Sequence, residues 1–301
     1  MPPQNTHGYI TDSTLSLLEE SILLSYRHAF HAGNFADVLK HSVLYFVLEY
    51  MQQKDKGLTY IDTHAGAGMY RLNEDYAQKT GEYKQGIEPL MGLNELPKIL
   101  IPYIQWIKEI NTSQSLNLYP GSSAIAKHLL RYQDSAHLFE LHPSDNQLLR
   151  KFTQSAKNTF IHQADGYKGL LSLLPPPSRR GVVLIDPPYE IKSDYKIAVK
   201  TMIESYQKFS TGTYILWYPV VDRKHVERMI KDFANSNVKN LLQIEFCRQT
   251  DSYSFGMTGT GLFIINPPWQ LNEYAQKLLP FLSQKLGDSE SFHTLTQLKE
   301  E

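Results

Sequence analysis

Residues 181–189 read GVVLIDPPY and join a strand-forming run to a polar turn. The run Gly181–Ile185 favours a buried strand, and the two prolines that follow Asp186 cannot continue a hydrogen-bonded ladder. This pattern places the Asp186 carboxylate at the exposed carboxyl end of a strand, which is where open α/β sheets bind their ligands. The alternative is a plain strand end with a solvated aspartate.

The chemistry of this turn suits a flat molecule that carries an amino group. Pro187 and Pro188 have no N–H group, so the turn offers carbonyl acceptors beside the Asp186 carboxylate. Tyr189 adds an aromatic ring on which a planar ligand can lie. A pocket built from acceptors and a ring predicts an adenine that is recognised by its exocyclic amine.

The composition is that of an ordinary globular protein. The 301 residues include 42% hydrophobic residues and carry a formal net charge of −1, within the range of globular domains. The single cysteine, Cys247, excludes an intramolecular disulfide framework and a cysteine-based zinc cluster, and it indicates a reducing compartment. No apolar stretch reaches membrane-spanning length, and the first residues lack a signal-peptide pattern. We therefore expect a cytoplasmic protein with no membrane partner.

The apolar runs predict six strands that alternate with helices and a seventh that follows the sixth directly. The predicted strands are Leu58–Ile61, His137–Leu141, Thr159–His162, Gly181–Ile185, Thr213–Trp217, Leu241–Phe246 and Gly261–Ile265. Because the last connection is short and contains no helix, the final strand must be antiparallel to its neighbour. This order predicts an α/β, Rossmann-like fold of the methyltransferase type, with a seven-stranded sheet and an antiparallel last strand.

The chain organisation follows from the same pattern. Residues 1–22 are polar and turn-rich and are predicted to be an N-terminal extension, while residues 23–301 form the main domain. Residues 70–118 are too long for a simple crossover, and their helical, aromatic pattern contains no clear strand. We interpret them as a helical insertion.

Polar residues follow the predicted strands that would be neighbours in the sheet. After the first strand, Asp62–Gly68 forms a loop whose glycines allow the backbone to approach a ligand closely. It lacks the third glycine of a dinucleotide fingerprint, which argues against a pyrophosphate-containing cofactor. Glu140 ends the second strand, where a carboxylate can hold both hydroxyls of a ribose, and Asp165 follows the third. Each could be solvated when taken alone, but together with Asp186 they predict one ligand site.

Several longer motifs resemble those of the bacterial 23S rRNA adenine-N6 methyltransferases of the J type. The matching segments are 25–41 (SYRHAFHAGNFADVLKH), 62–68 (DTHAGAG), 119–122 (YPGS), 140–145 (ELHPSD), 164–166 (ADG) and 185–189 (IDPPY). The resemblance runs from about residue 23 to the last predicted strand. It leaves residues 1–22 outside, either as a real extension or as the result of a start codon placed too early.

The resemblance implies S-adenosylmethionine-dependent methylation of the N6 atom of one adenine in 23S rRNA. It gives Asp186 the role of catalytic acceptor, with base contacts from Pro187 and Tyr189, and it gives Tyr26 a contact with the RNA. The cofactor-binding residues that it implies are His41, His64, Ser122, Glu140, Asp165 and Gly166. Ser122 is predicted to open a helix, where its hydroxyl and free N–H groups can hold the methionine carboxylate. We expect a monomer that needs no metal.

The sequence also allows two alternative functions and contains a second motif that is similar to Asp186–Tyr189. The predicted pocket recognises adenine and not the sugar, so a DNA adenine-N6 methyltransferase, or another role in DNA utilisation, is the main alternative. His28, His31 and His41 with Asp37 could belong to a metal-dependent nuclease, but no complete ligand spacing is present. Asn266–Trp269 (NPPW) repeats the amine-binding pattern. Because it follows the antiparallel strand, we expect it at the opposite edge of the sheet in a structural role.

Overall fold

The structure, a computed structural model, describes residues 28–112, 115–251 and 256–301. The predicted extension at 1–22 and the predicted RNA contact Tyr26 lie outside the described residues. The α-helices are α1 (Phe35–Met51), α2 (Asp75–Thr80), α3 (Glu88–Met91), α4 (Ile101–Ile110), α5 (Ser122–Leu129), α6 (Pro143–Thr153), α7 (Gly166–Ser172), α8 (Ser193–Lys208), α9 (Arg223–Ala234) and α10 (Leu271–Leu286). The strands are β1 (Thr59–Asp62), β2 (Met69–Arg71), β3 (Leu118–Pro120), β4 (Ser135–Phe139), β5 (Thr159–His162), β6 (Gly181–Ile185), β7 (Thr213–Val220), β8 (Leu241–Cys247), β9 (Gly259–Ile265) and β10 (Phe292–Lys299).

The central sheet has the strand order β10-β8-β9-β7-β6-β1-β4-β5. Strands β5, β4, β1, β6 and β7 pair in parallel, while β9 is antiparallel to both β7 and β8. The seven strands predicted from the sequence are all present in this sheet, and the predicted fold class is confirmed. The predicted number of strands was wrong, because β10 adds an eighth strand antiparallel to β8.

Residues 70–118 contain three short α-helices and a 3₁₀ turn at Glu82–Gln85. The expectation that this segment has no strand was wrong at its two ends, where β2 and β3 form a separate two-stranded antiparallel sheet. Each of these strands is three residues long, too short to show a period in the sequence. The pair brings the two ends of the segment together beside the central sheet.

Helix α1 is the most deeply buried helix that contacts the predicted site. All its residues from Phe35 to Leu48 are buried, which is typical of a helix enclosed on every side. Asn34 caps its start, since its side chain accepts a hydrogen bond from the Asp37 backbone N–H. Charged residues on such a helix must find partners inside the protein.

Two arginines hold the other end of α1. The Arg180 guanidinium, just before β6, donates hydrogen bonds to the carbonyls of Met51 and Lys56. Arg131 donates to the Gln52 and Lys54 carbonyls at 2.9 and 3.0 Å. The last carbonyls of a helix have no intrahelical partner and carry partial negative charge, so both arginines satisfy and neutralise this end.

Candidate functional site

The carboxyl ends of the parallel strands open into a cavity of about 620 Å³, a size typical of small-molecule sites. The residues that the sequence analysis singled out and that lie in the described part of the chain all line it: His41, His64, Ser122, Glu140, Asp165, Gly166, Asp186, Pro187 and Tyr189. They come from six places in the chain that are far apart in sequence. The fold thus brings the predicted site residues together at one edge of the sheet.

Asp186 lies directly after β6 and forms an ion pair that the sequence analysis did not anticipate. Its Oδ2 atom accepts a hydrogen bond from Lys40 Nζ at 2.7 Å, and the same ammonium lies 3.1 Å from Asp37 Oδ1. The Lys40 ammonium also lies 5.0 Å from the centre of the Trp217 ring, within cation–π range. Asp186 is thereby held in one orientation at the wall of the cavity.

The charges behind Asp186 are buried and mutually compensated. Burial alone would lower the pKa of Lys40, but the neighbouring Asp186 and Asp37 carboxylates raise it above its ordinary value. Burial would likewise raise the pKa of Asp37, but His28 and Lys40 hold it well below its usual range. His28 Nε2 lies 2.9 Å from Asp37 Oδ2. At neutral pH the cluster therefore contains a carboxylate and an ammonium that require each other.

The turn after Asp186 is fixed by aromatic contacts. Tyr189 has a left-handed backbone conformation, with φ of 53°, which is uncommon for a residue with a bulky side chain. Its hydroxyl donates to the Trp217 carbonyl at 2.6 Å, and its ring centre lies 4.5 Å from that of Tyr195. These contacts hold the Tyr189 ring at the cavity wall.

Glu140 follows β4 and is held by the backbone. Its two carboxylate oxygens accept hydrogen bonds from the N–H groups of Gly66 and His142, at 2.9 and 2.7 Å. Burial raises the pKa of Glu140 to about 7, although both of these hydrogen bonds act to lower it. Each oxygen retains a further lone pair, so the carboxylate can still accept from two adjacent hydroxyls of a ligand.

The two predicted histidines are neutral; His41 is buried and His64 is half-buried. Burial lowers the pKa of His41 to about 3 and that of His64 to about 4. His41 Nδ1 lies 2.8 Å from the Tyr119 hydroxyl, and His64 Nδ1 lies 2.8 Å from the Thr63 hydroxyl. Each ring therefore has one nitrogen engaged and faces the cavity as an uncharged polar group.

The structure changes the predicted role of Ser122. Its hydroxyl donates to Asp62 Oδ2 at 2.6 Å, so the proton expected for a ligand carboxylate is already used. Asp62 also accepts from the Tyr60 hydroxyl at 2.8 Å, and burial raises its pKa to about 6. Ser122 is the first residue of α5, so the backbone N–H groups of this helix start are the donors that remain for an anion.

Asp165 and Gly166 begin α7. One oxygen of Asp165 caps this helix by accepting from the N–H groups of Tyr167 and Lys168, at 2.9 and 3.2 Å. Its other oxygen is partly exposed, 3.5 Å from the Lys168 ammonium. A Cβ atom at position 166 would collide with the Thr63 carbonyl. Glycine is therefore required for the close approach of α7 to the loop after β1.

The duplicate motif at Asn266 lies at the opposite edge of the sheet. Its amide donates to the Ser210 and Gly212 carbonyls, both at 2.8 Å, and these residues precede β7. Because β9 is antiparallel to β7, its carboxyl end lies beside the amino end of β7. The four residues after β9 consequently do not reach the cavity.

Lys40 and Trp217 were not predicted as functional residues, and Asp37 was considered only as a possible ligand of a nuclease metal. The available signal was the spacing of Asp37, Lys40 and His41 at i, i+3 and i+4 on a helix that is otherwise apolar. Such spacing places all three side chains on one face. It predicts a buried charge cluster but does not identify its partner.

Within the described ranges no group of three or more His, Cys, Asp or Glu side chains could hold a metal ion. Over the same part of the chain no helix is both long and apolar enough to cross a bilayer. His28 and Asp37, which suggested a nuclease, instead pair with each other.

Known proteins match most of the chain. Residues 55–297 match the family described as ribosomal RNA large subunit methyltransferase D, RlmJ. The ribosomal RNA large subunit methyltransferase J of Escherichia coli K12 is 48% identical over 271 residues, which cover 90% of this chain and 97% of that protein. The enzyme of the same name from Haemophilus influenzae is 46% identical over 88% of this chain and 94% of its own length.

A solved structure agrees with these matches. A crystal structure of a Legionella pneumophila protein superposes with a TM-score of 0.82 at 39% sequence identity, covering 89% of this chain and 98% of that one. Fold, site and sequence therefore lead to one assignment. The chain belongs to the ribosomal RNA large subunit methyltransferase J family, whose members are rRNA methyltransferases.

Proposed function

We propose that this protein transfers the methyl group of S-adenosylmethionine to the N6 atom of one adenine in 23S rRNA. The observation that carries the proposal is the position of Asp186, a carboxylate at the end of β6 that faces the same cavity as Glu140 and Asp165. In the proposal Asp186 is the catalytic acceptor, and Pro187 and Tyr189 contact the target base. The family match supports ribosomal RNA as the substrate class.

The cavity suits the cofactor of a methyltransferase. The Tyr167 hydroxyl and Asp194 Oδ2 are buried, and neither has a hydrogen-bond partner within the described residues. Both residues line the cavity. Buried polar groups normally have partners, so a donor on one side and an acceptor on the other indicate a polar ligand at this wall. Burial raises the pKa of Asp194 to about 6.

Cofactor-binding roles are proposed for the predicted residues from their geometry. Glu140 would accept from both ribose hydroxyls, Asp165 from the adenine amine, and the helix start at Ser122 would face the methionine carboxylate. Gly166 allows close approach, while the neutral His41 and His64 contribute uncharged polar contacts. When bound, the cofactor supplies an electrophilic methyl group on a sulfonium.

The proposed catalysis rests on activation of a weak nucleophile. The lone pair of an adenine amine is delocalised into the ring. Hydrogen bonds from its two protons to the Asp186 carboxylate and the Pro187 carbonyl would draw the nitrogen towards a tetrahedral geometry and make the lone pair available. Asp186 is also close enough to take the surplus proton. Most of the acceleration comes from placement and from fixed electrostatic partners.

Lys40 is proposed as a positioning residue in this mechanism. Its ammonium binds the Oδ2 atom of Asp186 and is itself held by Asp37. The carboxylate is therefore aligned before the base arrives. A target base must be unpaired or extruded from its helix to reach it.

The remaining proposals concern the whole enzyme. We propose that residues 23–301 act as one cytoplasmic, monomeric methyltransferase unit without a metal, because every residue proposed for the site comes from a single chain. Tyr26 is proposed to contact the RNA. It lies two residues before His28, which bonds to the Asp37–Lys40 cluster beside the target pocket.

The substrate proposal predicts methyl transfer to protein-free or partly assembled 23S rRNA, with duplex DNA as a poor substrate. A stacked and paired adenine cannot enter the pocket without the cost of unstacking. Transfer of labelled methyl groups to in vitro-transcribed 23S rRNA, followed by mass spectrometry of the nucleosides, measures this directly. Equal rates on duplex DNA and rRNA would favour the DNA methyltransferase alternative, and a product other than N6-methyladenosine would contradict the acceptor chemistry.

For the cofactor, we expect Glu140→Ala to weaken binding of S-adenosylmethionine. The substitution removes both ribose hydrogen bonds, which corresponds to roughly 1.5–3 kcal/mol for bonds to a charged acceptor. Isothermal titration calorimetry with S-adenosylmethionine measures the change, and Glu204→Ala, at a partly exposed position on α8 outside the cavity, is the control. Unchanged affinity in Glu140→Ala would remove Glu140 from the cofactor site.

A further inference from the structure

A ladder of aromatic rings lies at the β5 edge of the sheet, outside the cavity. His137 pairs with Phe160 across β4 and β5, and Phe139 pairs with His162. The ring centres lie 4.9 Å apart in the first pair and 4.5 Å apart in the second, with interplanar angles of 20° and 19°. In each pair, the ring on β4 is therefore stacked face to face with the ring on β5.

The outer end of this stack faces solvent. Strand β5 is the terminal strand of the sheet, so Phe160 and His162 are the outermost rings. Phe160 is 50% exposed, an unusual position for a phenylalanine, and His162 is half-buried. A planar group placed beyond β5 would continue the stack in the same direction. Cross-strand pairing explains why the rings stack with each other, but it does not account for an exposed phenylalanine at the end.

The two outer rings behave as uncharged aromatics. His162 Nε2 lies 3.1 Å from His137 Nδ1, so at least one of the two imidazoles must be neutral for this bond to form. Burial, together with repulsion from Arg150, lowers the pKa of His162. At neutral pH the ladder therefore offers flat neutral ring faces, which nucleic acid bases of any sequence can stack upon.

A cation lies at the same edge. The Arg150 guanidinium donates to the Ile161 carbonyl at 3.2 Å, and Ile161 is the residue between Phe160 and His162. The segment 142–172 carries four basic residues and two acidic ones, and both acidic residues, Asp145 and Asp165, line the cavity. The basic residues are Arg150, Lys151, Lys157 and Lys168, all exposed. A ring face beside exposed positive charge is complementary to a single-stranded polynucleotide.

We propose that the outer faces of Phe160 and His162 form a stacking platform for an unpaired base of the substrate RNA, with Arg150 beside it for the phosphate. The inference rests on the proposed function, because it places the platform on the RNA that carries the target adenine. Three strand spacings separate β5 from β6, or about 15 Å. The stacked base would therefore lie a few nucleotides from the adenine held at Asp186.

The test compares Phe160→Ala with wild type on the shortest fragment of in vitro-transcribed 23S rRNA that the wild-type enzyme methylates. We expect the KM for RNA to rise roughly fivefold or more from the loss of one stacked base. The turnover number and the affinity for S-adenosylmethionine should be unchanged. Phe160→Tyr keeps the ring and should restore the wild-type KM. Trp269→Ala is the control and should have no effect on KM. It removes another exposed aromatic side chain, which is 73% exposed and lies in the loop after β9, away from the cavity.

A second measurement distinguishes stacking from a structural effect. In a set of RNA fragments, each fragment carries one abasic residue at a different position flanking the target adenine. With the wild-type enzyme, one of these abasic RNAs should raise the KM as much as Phe160→Ala raises it for the intact RNA. With the Phe160→Ala variant, the same abasic RNA should give no further rise in KM. A wild-type KM in Phe160→Ala, or abasic RNAs that affect both proteins equally, would overturn the platform.

Direct RNA binding separates this inference from the proposed function. Fluorescence anisotropy with a labelled single-stranded RNA measures binding without methyl transfer. If wild type binds more tightly than Phe160→Ala but methylates no RNA, the platform is supported and the proposed function fails. If wild type methylates RNA and the two proteins bind equally, the proposed function is supported and the platform is wrong.

Discussion

Asp186→Ala is expected to abolish methyl transfer while the protein still binds S-adenosylmethionine. In the proposed mechanism the carboxylate acts on the amine of the target base, and removing a preorganised group that acts on the reacting centre costs roughly 10²–10³-fold in turnover. The fold should survive, because the Lys40 ammonium keeps its partner Asp37 at 3.1 Å. Single-turnover methylation assays and calorimetric titration of the cofactor measure the two effects separately.

The duplicate motif provides a matched control. Asn266→Ala alters a residue in the same sequence context, an apolar strand followed by two prolines, and should leave turnover within a few-fold of wild type. Its amide bonds to Ser210 and Gly212 brace a surface loop, so we expect the loss to appear as lower stability. If Asn266→Ala is inactive as a folded protein and Asp186→Ala is active, the assignment of the catalytic strand is wrong.

Lys40→Met is expected to have the largest effect on stability. It leaves the Asp37 and Asp186 carboxylates facing each other without the buried cation, and breaking a buried pair costs about 3–5 kcal/mol. Turnover should fall by roughly a hundredfold, because Asp186 is no longer aligned. Urea denaturation and methylation assays on the same preparation measure both effects.

The pH dependence of this defect has a defined sign. In wild type His28 and Lys40 hold the pKa of Asp37 well below its usual range. The ion pairs of Asp37 therefore stabilise the fold at pH values above the pKa that Asp37 has in the unfolded chain. This stabilisation is lost as the pH falls through the pKa of Asp37 in the folded protein. Without the cation the two carboxylates should take up protons at higher pH, and the defect should shrink on acidification. Lys277→Met, at an exposed pair with Glu273, is the control. An equal loss at both lysines would contradict the buried-cluster account.

The sequence was sufficient to predict the seven central strands, because each combines an apolar run with a polar residue or turn at its end. The eighth strand, β10, shows no alternation. Phe292 and Leu298 pack against one hydrophobic cluster and Leu295 against the other, so its apolar residues recur every third position. A strand that contributes to the core on both faces of a sheet lacks the period of two that identifies a half-buried strand.

The site was predictable wherever a residue acts at the end of its own strand. Glu140, Asp165 and Asp186 meet in one cavity, as the parallel strand order requires. The partner of Asp186 was not predictable, because Lys40 is 146 residues away in sequence and comes from a helix. The bond of the Ser122 hydroxyl to Asp62 was not predictable for the same reason, since it depends on tertiary packing.

Helix α1 is joined to the two residues that flank strand β6, by Lys40 to Asp186 after the strand and by Met51 to Arg180 before it. The two joints are about 16 Å apart along the helix and about 20 Å apart along the strand. Any sliding of α1 along β6 would have to break both joints at once. The position of the Asp186 carboxylate is therefore set by two contacts that lie on either side of β6, so the Asp-Pro-Pro-Tyr sequence alone does not determine it.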